Sequence, residues 1–175
     1  TGTKKPLLSG WNQRENVVTS PEDKHKLAGH DIALAHAYCD PPTACLDIDD
    51  AKTAFPVLRD LGLDPGNLDA PVCSSGNPNR LKAFFTLAEP LPLHQVEIDG
   101  VISFEYRCAF PNGTTTADCI PPSIHPKSGN QYEWIGHRDL RSIPEIPGVL
   151  LADWKKRIAE EKAKYKAPVR ATFCN

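Results

Sequence analysis

The feature that most constrains this chain is a short apolar run that ends in alternating acids, Leu46-Asp47-Ile48-Asp49-Asp50. The run predicts a buried strand, in which Asp47 and Asp49 point to the same side because side chains alternate between the two faces of a strand. Two neighbouring carboxylates repel each other, and burying them without a cation is unfavourable. Hard oxygen ligands suit Mg²⁺ or Mn²⁺, which proteins bind through one or two carboxylates together with substrate phosphates. The motif therefore predicts a divalent-metal site, with an ordinary acidic surface turn as the alternative.

The remaining pattern predicts an α+β fold. Asp50 is a suitable N-cap for a helix whose apolar residues recur at close to helical spacing over residues 51–61. The second half alternates short apolar runs with Gly, Pro and Asn turns, which is typical of strands. We expect an αβ unit followed by a mostly antiparallel sheet in one domain. The predicted strands cover 32–38, 44–49, 72–75, 81–87, 102–108, 115–120 and 131–135, and the predicted helices cover 21–28, 51–61 and 148–165.

A two-metal site needs a third carboxylate from another element, and Glu105 is the best candidate. In the predicted strand 102–108, Phe104, Tyr106 and Cys108 alternate with Glu105 and Arg107. One face of this strand would then be buried, while the carboxylate and the guanidinium share the other face. A surface salt bridge is the alternative interpretation of Glu105.

Two segments combine turn-forming residues with groups that bind phosphate. Residues 74–82 contain Arg80 and Lys82, no acid, and backbone N–H groups that a turn can direct at an anion. Residues 121–129 contain Ser123 and His125 on a loop stiffened by prolines. Each segment is a candidate phosphate site, and each is also compatible with an ordinary polar loop.

The amino-acid composition is typical of a soluble globular domain. The chain has 175 residues, a formal net charge of −2 and no apolar run of about 20 residues that could cross a bilayer. Seven Asp face only Lys52 and Arg59 between residues 40 and 70, whereas residues 150–170 are mainly basic. An acidic, metal-binding pocket with basic surface elsewhere gives this distribution, as does a solvated surface without function. The chain contains no Met, so we expect it to be part of a longer protein.

The six cysteines include no Cys-x-x-Cys pair, and the N-terminus carries no secretory signal. Free thiols in a reducing cytoplasm are the favoured interpretation. His36, Cys39 and Cys45 are the closest approach to a zinc site, but their spacing fits no common zinc template, so zinc is not expected.

In order, these segments resemble the primase–polymerase domain of plasmid and phage replication proteins, within the archaeo-eukaryotic primase superfamily. The resemblance covers about residues 4–150. Its most specific part is the Pro-Pro-Ser-Ile-His-Pro loop followed by Gly129 and Tyr132-Glu-Trp134. The other matching segments are Lys5-Pro6 with Gly10-Trp11, Cys45-Leu-Asp-Ile-Asp-Asp50, Ser75-Gly-Asn77 with Arg80-Leu-Lys82, and Phe104-Glu-Tyr-Arg107.

The resemblance implies a catalytic domain over residues 1–150, with residues 148–175 forming a closing helix and a linker or tail toward a downstream module such as a helicase. It implies an αβ unit joined to a sheet like that of an RNA-recognition motif, with the active site in the cleft between them. Asp47, Asp49 and Glu105 would hold two Mg²⁺ or Mn²⁺ ions. The incoming dNTP or NTP, paired to a DNA template and joined to a primer, would be bound by Ser75, Gly76, Arg80, Lys82, Arg107, Ser123 and His125.

One departure concerns the segment after the Ser-Gly turn. Many relatives carry a histidine there, where this chain has Asn79, Arg80 and Lys82. The resemblance thus makes Arg80, Lys82 and Arg107 the expected substitutes in binding triphosphate.

Two other functional classes fit the sequence. A nucleic-acid-binding module of the same fold without catalysis would bind DNA independently of Asp47 and Asp49. A metal-dependent phosphatase or nuclease would hydrolyse phosphoesters. However, haloacid-dehalogenase-like phosphatases place Thr or Val where this chain has Ala51 after the acidic motif.

Overall fold

The computed structural model describes residues 9–136 and 138–166, which form an α+β fold with antiparallel sheets, as the sequence predicted. Short 3₁₀ turns link several of the elements. The strands are β1 (Ala33–Ala35), β2 (Thr43–Ile48), β3 (Val72–Ser74), β4 (Leu81–Thr86), β5 (His94–Ile98), β6 (Val101–Arg107), β7 (Ala117–Cys119) and β8 (Glu133–Trp134), and the α-helices are α1 (Ala51–Asp60) and α2 (Gly148–Lys166).

Six strands form the main sheet in the order β5-β6-β2-β4-β3-β8, and β1 pairs with β7 in a separate two-stranded sheet. All the paired strands are antiparallel. The strand of the predicted αβ unit, β2, lies inside the main sheet between β4 and β6, and α1 follows it directly. Asp50 begins α1 as predicted, because its carboxylate accepts a hydrogen bond from the backbone N–H of Lys52.

The main hydrophobic core lies on one face of the six-stranded sheet, beneath both helices. Strand residues such as Leu46 and Phe104 meet Leu58 of α1 and Trp154 of α2 there. The Trp154 ring stacks on Tyr106 at 5.1 Å between centroids, and its indole N–H donates to the carbonyl oxygen of Pro92. Among the described residues, no helix is both long and apolar enough to cross a membrane. The opposite face of the sheet carries the polar residues described below.

Strand β5 was missed by the sequence prediction, although the chain contains a signal for it. Asp99 and Gly100 connect β5 to β6 and both have positive φ, 53° and 76°. An Asp-Gly pair is favoured in such two-residue hairpin turns because both positions need left-handed backbone. The strand has only five residues and follows prolines at 90 and 92, so the alternation of buried and exposed side chains along it was not recognised.

Several other elements differ from the prediction. The predicted helix 21–28 is a 3₁₀ helix over Pro21–Leu27, and the predicted strands 115–120 and 131–135 shorten to β7 and β8. The predicted strand 32–38 is shorter, because the chain turns into a 3₁₀ helix at His36–Tyr38 after β1 and carries the His36 ring into the interior. Helix α2 continues to Lys166, so part of the predicted tail is helical. The predicted Lys5-Pro6 motif and residues 167–175 of that tail lie outside the described residues.

Candidate active site

The register of the sheet brings the predicted catalytic carboxylates together. Asp47 on β2 lies directly opposite Glu105 on β6 and opposite Lys82 on β4. Residues paired in this way have side chains on the same face of the sheet, with Cβ atoms about 5 Å apart. The same register pairs Gln95 with Glu105 and Cys73 with Lys82. A row of side chains across the sheet therefore faces away from the main core.

Asp47, Asp49 and Glu105 each offer a carboxylate oxygen, and these oxygens lie within 4.8 Å of one another. Asp49 follows β2, and its backbone N–H donates to the carbonyl oxygen of Ser103 on β6, which fixes its position. Asp50 is turned toward α1, where its carboxylate binds Lys52 N–H and the Thr53 hydroxyl. The three converging acids are thus the three that the sequence named as metal ligands.

Each of these three carboxylates contacts a cation. The Lys82 ammonium lies 3.0 Å from Asp47, and the Arg80 guanidinium lies 3.2 Å from Asp49. The Arg107 guanidinium lies 2.5 Å from Glu105, which also accepts a hydrogen bond from Gln95. All three carboxylates are therefore paired with a positive charge.

Asp118 on β7 binds two of these cations, Lys82 and Arg107. It was not identified as a site residue from the sequence. Its side chain is 2% exposed and accepts hydrogen bonds from Lys82, from Arg107 at 2.7 Å and from His36 Nε2 at 3.1 Å. The sequence carried one weak signal for it, namely an acid among small residues within a predicted strand. Its importance depends on the pairing of β7 with β1, which carries it over the polar face of the main sheet.

His36 completes this buried cluster as a neutral ring. Burial lowers its pKa, although Asp118 opposes this effect, and this favours the neutral ring. Because the Asp118 carboxylate can only accept, the single ring proton is on Nε2 and is donated to Asp118. Nδ1 then accepts from the Thr43 hydroxyl at 2.9 Å. His36, Cys45 and Asp118 form a second group of potential metal ligands within 4.8 Å. Burial holds the Cys45 pKa well above its usual value, and Asp118 is taken up by two cations, so this group is a poor metal site.

The charged groups of the cluster shift one another's pKa values. Burial raises the pKa of Asp47, although Lys82 opposes this effect. Burial also acts on Lys82 and Arg107 by disfavouring their charged forms, but Asp118 and Asp47 outweigh it and raise both pKa values. For Asp118, burial is outweighed by Lys82, His36 and Arg107, which hold its pKa well below its usual range. These contacts favour the ionised form of Asp118, whereas burial favours the protonated form of Asp47.

A pocket beside the carboxylates collects most of the predicted nucleotide-binding residues. Its lining includes Asp47, Asp49, Ser75, Arg80, Lys82 and His125. Gly76 follows Ser75 in a turn that needs its positive φ of 82°, and Asn130 donates to the Ser75 carbonyl oxygen at 3.2 Å. This bond joins the 74–82 segment to the loop that carries His125. The turn residue, two cations and an imidazole thus border one cavity.

His125 has a defined orientation in that pocket. The backbone N–H of Ser128 donates to its Nδ1 at 3.2 Å, so the neutral ring carries its proton on Nε2. The ring also packs edge-to-face against Tyr132, with centroids 5.8 Å apart. His125 is therefore held as a hydrogen-bond donor.

Ser123 lies apart from the pocket lining. Its side chain is 2% exposed, and its hydroxyl both donates to the carbonyl oxygen and accepts from the N–H of Ile32, each at 2.8 Å. In this structure Ser123 connects the proline-rich loop to the segment before β1. Its predicted contact with nucleotide stays a prediction.

The donor set fits a hard divalent cation. Three carboxylates converge within 4.8 Å of one another, the cavity beside them is open, and carboxylate oxygens are the ligands that such cations prefer. Arg80, Lys82 and His125 line the same cavity, where they offer donors suited to phosphate oxygens. The arrangement can therefore hold a metal-bound phosphate ester next to positively charged side chains.

Comparison with known proteins agrees with this chemistry. A family model described as bifunctional DNA primase/polymerase, N-terminal, matches residues 1–149. No curated protein and no solved structure matches the chain significantly. Because the family model spans most of the 175 residues, this chain belongs to the family of N-terminal domains of bifunctional DNA primase/polymerases.

Proposed function

We propose that this domain is a template-directed DNA primase/polymerase that adds nucleotides to a 3′-hydroxyl and releases pyrophosphate. The observation that carries the proposal is the convergence of Asp47, Asp49 and Glu105 within 4.8 Å, beside a pocket lined by Arg80 and Lys82. Nucleotidyl transfer needs carboxylates for metal ions and cations for the triphosphate, in one place. Both sets of groups meet here, and the family suggests the same activity in DNA replication.

In this proposal Asp47, Asp49 and Glu105 hold two Mg²⁺ or Mn²⁺ ions. When bound, such ions lower the pKa of the attacking 3′-hydroxyl and neutralise charge on the leaving pyrophosphate. The β2–β6 register places Asp47 opposite Glu105, and the hydrogen bond from the Asp49 N–H to Ser103 holds the third acid beside them. Lys82 and Arg107, which contact Asp47 and Glu105, must yield these oxygens to the ions.

The incoming dNTP or NTP would then lie in the pocket. Arg80 and Lys82, which line the pocket, would donate charge-assisted hydrogen bonds to its phosphates, and His125 would donate from Nε2. Ser75 and Gly76 contribute the turn beside the pocket, where the Gly76 N–H donates to the Ser74 hydroxyl and would have to change partner to bind a phosphate oxygen. Arg107, once its bond to Glu105 is released, and Ser123, once its bonds to Ile32 are released, are further proposed contacts.

The wider context follows from the same resemblance. We propose that the fold is the archaeo-eukaryotic primase arrangement, with the αβ unit and the sheet around one active-site cleft. The catalytic domain would cover residues 1–150, with α2 closing the fold and a linker toward a downstream module, such as a helicase, in a plasmid or phage replication protein. DNA template and primer would bind basic surface, with affinity that falls as salt rises.

Primer extension tests this proposal directly. The domain is incubated with primed DNA, dNTPs and either Mg²⁺ or Mn²⁺, beside an Asp47→Asn/Asp49→Asn variant. A matched control is Asp60→Asn, which removes an exposed acid at the end of α1. We expect extension by the parent and by the control, and none by the double variant, whose folding is checked by circular dichroism.

The other outcomes separate the alternatives. No extension with either metal, but DNA binding retained in the double variant, would contradict polymerase activity and favour a non-catalytic binding module. Hydrolysis of phosphoesters without pyrophosphate release would favour a phosphatase or nuclease. Replacing dNTPs by NTPs in the same assay gives the sugar preference.

A further inference from the structure

Asp118 binds two of the three cations that contact the proposed metal ligands, namely Lys82 and Arg107 but not Arg80. Lys82 bridges Asp47 and Asp118, and Arg107 bridges Glu105 and Asp118. Each cation therefore has one partner among the converging carboxylates and a second partner, Asp118, on the separate two-stranded sheet. Asp118 is 2% exposed, and its strand β7 belongs to the separate two-stranded sheet.

This arrangement matters when a divalent cation binds. An ion on Asp47 and Glu105 takes the oxygens that Lys82 and Arg107 now contact, and it repels both cations. Without a second partner, these side chains would either compete for the carboxylates or swing away from the pocket. Asp118, a buried anion that already binds both side chains, would prevent both outcomes.

We propose that Asp118 is a positioning residue for the metal-dependent reaction, which holds Lys82 and Arg107 beside the site after divalent cations displace them from Asp47 and Glu105. The inference rests on the proposed function, because it assigns a role within the same site. Asp118 acts through the two cations rather than on the metal, since both of its oxygens are bound to Lys82, Arg107 and His36. His36, which is itself hydrogen-bonded to Thr43, fixes the orientation of the Asp118 carboxylate.

Mn²⁺ binding without nucleotide or DNA tests this role independently of activity. Free Mn²⁺ is titrated by electron paramagnetic resonance in the parent, Asp118→Asn, Lys82→Met and the Asp118→Asn/Lys82→Met pair. We expect Asp118→Asn to weaken Mn²⁺ binding about tenfold, because Lys82 is left to compete for Asp47. Lys82→Met should then improve binding more in the Asp118→Asn background than in the parent, since a coupled pair is not additive.

Two outcomes overturn the inference. One is a folded Asp118→Asn protein that binds Mn²⁺ with the affinity of the parent. The other is an equal effect of Lys82→Met in both backgrounds, which means that Asp118 does not control Lys82. Asp47→Asn/Asp49→Asn serves as the control. If this double variant binds Mn²⁺ as the parent does, the proposed function fails as well. If it has lost Mn²⁺ binding, only the role of Asp118 is contradicted.

A measurement on the parent covers the case in which Asp118→Asn does not fold. The ammonium resonance of Lys82 is identified in ¹⁵N-lysine-labelled protein by its absence from Lys82→Met. Ammonium protons held by a buried carboxylate exchange slowly with water, so we expect this signal to shift but persist on addition of Mg²⁺. Its loss through rapid exchange would show that Lys82 leaves Asp118 when the metal binds, which contradicts the proposal.

Discussion

Lys82 and Asp47 face each other across β2 and β4, with the ammonium nitrogen 3.0 Å from the carboxylate. Even so, burial leaves the Asp47 pKa raised, so the ionised side chain destabilises the fold at neutral pH. The pairing with Lys82 thus offsets only part of the cost of burying this carboxylate. Sites that need a ligand for full stability are expected where function, rather than folding, determines the residues.

Asp47→Asn should therefore have opposite effects on stability with and without metal. In EDTA we expect the variant to be as stable as the parent or more stable, by up to about 1 kcal/mol, because the unfavourable buried charge is removed. In millimolar Mn²⁺ the parent should gain stability by mass action and the variant should not, which reverses their order. Thermal unfolding under both conditions measures this, and a variant that is clearly less stable in EDTA would contradict it.

Buried His36 should make the stability of the domain depend on pH. Its pKa in the folded protein is lowered from 6.5, so below about pH 6.5 the unfolded chain takes up a proton that the folded chain does not. Stability is then lost as the pH falls from 7 to 5, with a limiting slope of about 1.4 kcal/mol per pH unit. Urea unfolding at pH 7, 6 and 5 gives the slope.

The matched variants for this test are His36→Gln and His30→Gln. Glutamine at position 36 offers an amide that can donate to Asp118 but does not titrate, so the dependence on pH should become shallower. His30 is exposed, and its replacement should leave the slope of the parent. Equal slopes in the parent and His36→Gln would mean that other groups cause the pH dependence.

Arg80 should contribute to nucleotide binding and little to folding. Its side chain is 50% exposed and pairs with Asp49, and exposed ion pairs stabilise proteins by less than about 1 kcal/mol. A charge-assisted hydrogen bond to a phosphate is worth about 1.5–3 kcal/mol, so Arg80→Gln should raise the KM for dNTP roughly tenfold or more. Steady-state primer extension measures this, with Arg59→Gln, an exposed change on α1, as the control. An unchanged KM would remove Arg80 from the binding residues.

The sequence predicted the features that depend on local pattern. The apolar run with Asp50 as a cap predicted β2 and α1, and alternation around Glu105 correctly placed Glu105 and Arg107 on one face of β6, with Phe104 and Tyr106 in the core on the other. These follow from the periods of strands and helices, which a short segment already shows.

The features that depend on pairing between distant segments were not predictable. That Asp47 lies opposite both Lys82 and Glu105 follows from strand order and register, which no single segment specifies. Asp118 gains its importance from contacts with Lys82 and His36, which are distant in the chain, while its own strand has only three residues. A residue of this kind becomes visible as part of the site only when the sheets are assembled.

Helix α2 should be required for folding, although the family match ends at residue 149. Trp154 is fully buried, stacks on Tyr106 and donates to Pro92, so it joins α2 to the sheet. Trp154→Ala should lower the free energy of unfolding by about 3–5 kcal/mol, and a chain that ends at residue 147 should not fold cooperatively.

Urea unfolding of Trp154→Ala and of chains that end at residue 147 or 166 tests this requirement. Val149→Ala is the control, because Val149 is 45% exposed on the same helix and its loss should change stability by less than about 0.5 kcal/mol. A cooperative transition in the shorter chain, with a midpoint near that of the longer one, would contradict the requirement. It would place the end of the folding unit before α2. Loss of the transition instead makes α2 an integral part of the folded domain, because the core above β6 is incomplete without Trp154.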